Sequence, residues 1–93
     1  MKTVVMGEKR HIRVQVERKS GPLVIEQADY EVWTEDRKNM VDSGSATIDG
    51  QIVYMLLDTA LLEVGEIYYV YFWITIEGSP ERINGNVAVQ VIP

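Results

Sequence analysis

The 93-residue sequence predicts an all-β sandwich of about seven strands. Three observations lead there. Apolar and polar residues alternate at period two over several short runs, as strands with one wet face require. Turn residues separate these runs at short spacing. Helical periodicity is confined to one short stretch. The length fits one domain, residues 1–93, because the usual domain size is about 100 to 150 residues. With 46% hydrophobic and 25% charged residues, the composition is globular rather than disordered or membrane-embedded.

The clearest strand is His11 to Arg18, "HIRVQVER", with Ile12, Val14 and Val16 facing a core and Arg13, Gln15 and Glu17 facing water. A loop through Gly21 and Pro22 follows. Ala28 to Glu35 is the next strand: Ala28, Tyr30 and Val32 share one face, Asp29, Glu31 and Trp33 the other. Lys38 to Val41 reads as a short edge strand or part of a connection, and "DSGS" breaks the chain after it. "SATIDGQIVYMLL" is a hairpin, since Asp49-Gly50 is a favoured type I′ pair; it sets Ile48 opposite Gln51 and puts Ala46, Ile48, Val53, Met55 and Leu57 on the core face. Ile52 and Tyr54 take the other face. Asp58 to Glu63 has the capping residue and the Leu61–Leu62 anchor of one helical turn, placed where the chain crosses between sheets. A long strand runs to about Glu77, "GSP" turns, and "RINGNVAVQVIP" is the last strand, with a bulge expected at Gly85 and Val87, Val89 and Val91 inward.

Between these last strands and the hairpin, Leu62, Gly65 and Tyr68 have the spacing L-x-x-G-x-x-Y. This resembles the tyrosine corner of immunoglobulin-like Greek-key sandwiches such as fibronectin type III modules. The resemblance implies that Tyr68 returns its hydroxyl to the backbone upstream, beside a buried Leu62 and a tight turn at Gly65. It also implies a parity: Tyr68, Val70, Phe72, Ile74 and Ile76 inward, Tyr69, Tyr71, Trp73 and Thr75 outward. The chain departs from fibronectin modules in carrying Val64 where they usually have Pro, in lacking a Trp on its first long strand, and, unlike antibody domains, in having no Cys pair.

The order "GEKRHIRVQV", "GPLVIEQADYEVW", "GSATIDGQIVYMLLDT", "LLEVGEIYYVYFWITIEG" is similar to the small immunoglobulin-like structural proteins of tailed phages and prophages of Gram-positive bacteria, of the baseplate upper-protein or neck and tail accessory kind. That resemblance implies a fold and a virion-related role, not a chemical site.

The residues offer little to a catalyst, so no enzyme activity, cofactor or metal is expected. His11 is the sole histidine and stands among cations at a strand start. Ser20, Ser43, Ser45 and Ser79 sit beside Gly in turns, outside any G-x-S-x-G. Asp29, Asp36, Asp42, Asp49 and Asp58 lack the spacing of a calcium loop, and "GSPERINGN" lacks the Lys and following helix of a phosphate loop. Having no Cys, the chain has neither disulfide nor thiolate. A net charge of -5 disfavours nucleic acid, and the Lys9, Arg10, His11, Arg13 cluster reads as a solvated face. No stretch reaches the roughly 18 apolar residues of a membrane helix. Met1 to Met6 is too short an apolar run for a signal peptide, so cytoplasmic synthesis is expected, with a virion as a compatible destination.

The unexplained feature is a set of aromatic residues on a face that should be wet. If the strands carrying Trp33 and Tyr69, Tyr71 and Trp73 are neighbours, all four share one outer sheet face, and contiguous exposed rings mark contact surfaces. Cover by long neighbours such as Glu31, Arg82 and Gln90 is the competing expectation. The first function this predicts is a structural module docking on a copy of itself or on other virion proteins. The second is a carbohydrate-binding or adhesion module whose rings stack on sugars, aided by Asp29, Glu31, Thr75 and Gln90.

Overall fold

A computed structural model describes residues 1–17, 23–79 and 82–93. The predicted loop at Gly21 and Pro22, together with Arg18, Ser20 and Pro80, lies outside the described residues. Eight strands are found among the described residues: β1 (Lys2–Val5), β2 (Lys9–Gln15), β3 (Ile25–Thr34), β4 (Met40–Ser45), β5 (Thr47–Asp49), β6 (Ile52–Asp58), β7 (Ile67–Ile76) and β8 (Arg82–Ile92). They form a five-stranded sheet in the order β1-β8-β7-β3-β4 and a three-stranded sheet in the order β2-β6-β5. Only β1 on β8 is parallel.

The alternation along each strand explains the common core. Ile12, Val53, Met55 and Leu57 from the smaller sheet meet Val32, Val70, Phe72, Ile74, Val89 and Val91 from the larger in one buried cluster. Phe72 is the largest of its fully buried side chains. On β7 the alternation is complete, each inward residue buried and each outward one half-buried. Its residues were expected on these faces, and the register supports the parity: Val32 pairs with Val70 and Tyr30 with Phe72.

The chain passes from β6 to β7, and so between sheets, through a single 3-10 turn at Thr59–Leu61 whose N-cap Asp58 accepts the Ala60 amide at 3.0 Å. Of the two leucines expected to anchor this turn, Leu62 is buried and Leu61 is 52% exposed, because a turn this short has only one inward side. Tyr68 is buried beside Leu62, and its hydroxyl accepts the Glu63 amide at 2.9 Å. Gly65 sits between them at φ 88, a left-handed conformation that a Cβ would strain. Thr59 is fully buried, donating to Glu8 O at 2.6 Å and accepting from Gly7 N at 2.9 Å. The same crossover therefore ties down the bend that carries the chain from β1 to β2.

Four expectations need correction. The "DSGS" segment does not break the chain but lies within β4; Gly44 pairs with Tyr30, whose ring atoms would stand 3.1 Å from any Cβ there, so the small residue admits the ring instead of a turn. The hairpin loop is Gly50-Gln51, not Asp49-Gly50, since Asp49 pairs with Ile52 and Ile48 with Val53. Gly50 alone has positive φ, as a type II′ turn requires, and the shift by two residues conserves the core face. Ile48 is 37% exposed all the same, because β5 is a three-residue edge strand. Gly85 makes no bulge: β8 pairs with β7 without a register shift, and the shifts fall at Glu26 on β3 and Val41 on β4. Finally, β1 was not anticipated; its run is short and is completed only by pairing with the far end of the chain.

Two stability predictions follow from these contacts. Tyr68→Phe leaves the Glu63 amide unpaired and should lower unfolding free energy by about 1–2 kcal/mol in urea titrations; an unchanged midpoint would remove the crossover bond from the list of stabilising contacts. At β4, burial and then the Asp42 carboxylate, 3.3 Å from the Tyr30 hydroxyl, raise the Tyr30 pKa above its ordinary 10.0. A raised acid favours its neutral form in the folded state, so its contribution is whole below about pH 10 and is lost as pH rises through the folded pKa. Between about pH 9 and about pH 11 wild type should therefore lose more stability than Tyr30→Phe.

Candidate functional site

The outer face of the five-stranded sheet is a lattice of rungs fixed by register. On one rung lie Ser45, Asp29, Trp73 and Asn84; on the next Ser43, Glu31, Tyr71 and Asn86; on the third Met40, Trp33, Tyr69 and Ala88. Trp33 thus stands directly across from Tyr69, and all four aromatic residues occupy one face, each half-buried. β3 and β7 lie inside the sheet, which makes the backbone beneath these rings rigid.

The rings are held and partly covered by neighbours. Trp73 Nε1 donates to Glu31 Oε1 at 2.6 Å, and the Arg82 guanidinium lies 5.5 Å from the Trp73 ring centre while pairing with Asp29 at 3.2 Å. Arg37 comes from the β3–β4 turn, where it is the one non-glycine residue with positive φ among those described. Its guanidinium stacks 4.3 Å above the Tyr69 ring and its Nε donates to the Tyr71 hydroxyl at 2.5 Å, a contact that raises the Arg37 pKa. In the same turn the Thr34 hydroxyl, and then the Lys38 amide, lower the Asp36 pKa by hydrogen bonding to its carboxylate. Of the residues expected to cover the rings, Glu31 and Arg82 make these contacts; Arg37 was missed because it reaches the face from a turn.

Two adjoining clefts open on this face. A trough of about 600 Å³ lies between Trp73 and the edge strand, bordered by Asp29, Glu31, Ser43, Ser45 and Arg82. A smaller slot of about 220 Å³ is walled by Trp33, Trp73 and Tyr71, with Glu31 and Arg37 completing it. Glu31 and Trp73 belong to both. Ser43 and Ser45, which read as turn residues in the sequence, are outward residues of β4 here. Asn84 and Asn86 are exposed on the rungs of Trp73 and Tyr71 and were not singled out before; a register for β8 was needed to find them. Thr75 lies on the same face, and Gln90 pairs with Ile67 beyond the aromatic rungs.

On the opposite sheet His11 is exposed and meets Tyr54 edge-on at 5.4 Å. Among the described residues no three His, Asp or Glu side chains form a group fit to hold a metal ion, and no helix is long and apolar enough to cross a membrane. The chain matches no protein-family model, and no curated protein or solved structure matches it.

The Trp73–Glu31 bond joins two strands across the site. Glu31→Ala should cost about 1–2 kcal/mol, as a part-buried bond to a charged acceptor does, and should red-shift tryptophan emission by freeing the indole. Unshifted emission would show that Glu31 does not hold the ring.

Proposed function

We propose that this chain is a non-enzymatic structural module, an immunoglobulin-like Greek-key sandwich that assembles through the outer face of its five-stranded sheet. One observation carries the reading: Trp33, Tyr69, Tyr71 and Trp73 form a contiguous aromatic patch on rigid central strands, pre-oriented by Arg37, Glu31 and Arg82. Aromatic and arginine side chains of this kind dominate the energy of protein contacts, and fixing them in advance reduces the entropy lost on association.

Charge supports a second copy as the partner. The chain carries -5 overall, yet on these rungs Asp29 and Glu31 are balanced by Arg37 and Arg82, so two copies meeting here avoid the repulsion their other surfaces would impose. The crossover supports the finer fold: Leu62, Gly65 and Tyr68, with the hydroxyl bonded to the Glu63 amide, have the features of a tyrosine corner. The resemblance to phage structural proteins favours a tailed-phage particle as the setting, with another virion protein as the other candidate partner.

A carbohydrate-binding role is the second reading, favoured by Asn84 and Asn86, exposed on β8 beside Trp73 and Tyr71, while the open trough lies on the other side of Trp73. In sedimentation experiments the first reading predicts a concentration-dependent oligomer that Trp73→Glu reduces to monomer. A monomer whose tryptophan emission responds saturably to a soluble glycan would reverse the order of the two.

A further inference from the structure

The first part of β8 is a sheet edge with no strand beside it among the described residues. β1 covers only residues 89–92, so over residues 82–88 the side of β8 turned away from β7 is open. Two hydrogen bonds show which backbone groups face that opening. The Val91 N–H donates to Glu66 O on the β7 side, whereas Ile92 O accepts from Met6 N–H on the β1 side. Alternation then turns the N–H and C=O groups of Arg82, Asn84, Asn86 and Ala88 to the open edge.

Proteins blunt open edges with charge, bulges or brevity. The other edges of the two sheets have such devices. β1 is four residues long, β5 is three, β2 carries Lys9 and Arg10, and β4 is bulged at Val41 and turns Asp42 to the inner face beside Val32. Residues 82–88 have none. Their one charge, Arg82, is paired with Asp29, and Ile83, 40% exposed, leaves apolar surface at the opening.

This stretch is complementary to itself. Set antiparallel to a second copy about a two-fold axis at Gly85, it pairs over its whole length: Asn84 with Asn86, Arg82 with Ala88, and Ile83 with Val87 on the inner side. Gly85 brings no side chain to the axis, and each asparagine amide has both a donor and an acceptor for the amide across from it. No like charges meet. Any strand entering the opening is stopped by β1, where Lys2 pairs with Val89, and residues 82–88 of a second copy end at that same point. Among this chain's own edges, the matching stretch of β8 is therefore the one that fits.

We propose that two copies pair through residues 82–88 of β8 and so join their five-stranded sheets into one. This deepens the assembly reading and rests on it. The rung of Asp29, Trp73 and Asn84 then continues into Asn86, Tyr71 and Glu31 of the second copy, which doubles the aromatic face on one side of the joined sheet. So short a ladder buries less than the roughly 1,000 Å² a lasting interface needs. It holds where two joined pairs stack through their aromatic faces, which gives a tetramer.

Sedimentation velocity and cysteine cross-linking on the full chain test this. Wild type should reach a tetramer with rising concentration. Asn86→Pro removes an N–H that faces the opening and no bond to β7, so it should stop at the dimer held by the aromatic face. The chain has no Cys, so Asn84→Cys and Asn86→Cys report the register, and they decide the matter alone if Asn86→Pro does not fold. With oxidised glutathione, their equimolar mixture should give about tenfold or more disulfide dimer than either chain by itself, because identical positions lie two residues out of register, beyond the roughly 7 Å reach of a disulfide. A mixture no better than the single chains, or an Asn86→Pro chain that still reaches tetramer, overturns the pairing. If Trp73→Glu nonetheless gives monomer, the aromatic-face reading survives that result. Wild type that is monomeric at every concentration overturns both.

Discussion

The structure depends on the parity of β7. Tyr68 is buried with its hydroxyl on the Glu63 amide, so the strand that follows has one choice of face for every residue. A slip of one position would bring Tyr69, Tyr71 and Trp73 into the core and push Val70, Phe72 and Ile74 into water. Phe72 alone makes that slip prohibitive, since losing a buried phenylalanine costs about 3–5 kcal/mol. The same bond closes the crossover from the smaller sheet, so the register of the larger sheet and the junction between the sheets are fixed together.

Parity then explains the outer face. Rings that cannot enter the core must be tolerated outside, and the fold holds them with charged neighbours. Arg37 adopts a left-handed backbone, ordinarily unfavourable for a side chain of its size, in a turn that brings its guanidinium over Tyr69. Arg82 and Glu31 hold Trp73 from two directions. These contacts order the rings and leave each half-buried, and a pre-ordered face loses less entropy on association.

Much of this was legible in the sequence. Period-two alternation marks the inward residues of β2, β3, β6 and β8, and the L-x-x-G-x-x-Y spacing marks the parity of β7. What was not legible is instructive. "DSGS" has the composition of a turn, but Gly44 and its neighbours form a strand because the Tyr30 ring crosses over Gly44, a tertiary contact that local propensity does not encode. β1 gains strand character only from β8, at the other end of the chain. Gly85 suggested a bulge, yet it continues the ladder opposite Phe72. At the site, Trp33 follows from alternation and Tyr69, Tyr71 and Trp73 from the parity that the L-x-x-G-x-x-Y spacing implies, whereas Arg37, Asn84 and Asn86 required the turn geometry and the β8 register.

The central claim is that the outer rings of β3 and β7 form a buried contact in the working state. Hydroxyl-radical footprinting read by mass spectrometry, on dilute and concentrated protein, tests it most directly. Trp33, Tyr69, Tyr71 and Trp73 should be oxidised readily when dilute and protected when concentrated, while the fully buried Phe72 stays inert in both. Equal oxidation of the four rings at every concentration would contradict it.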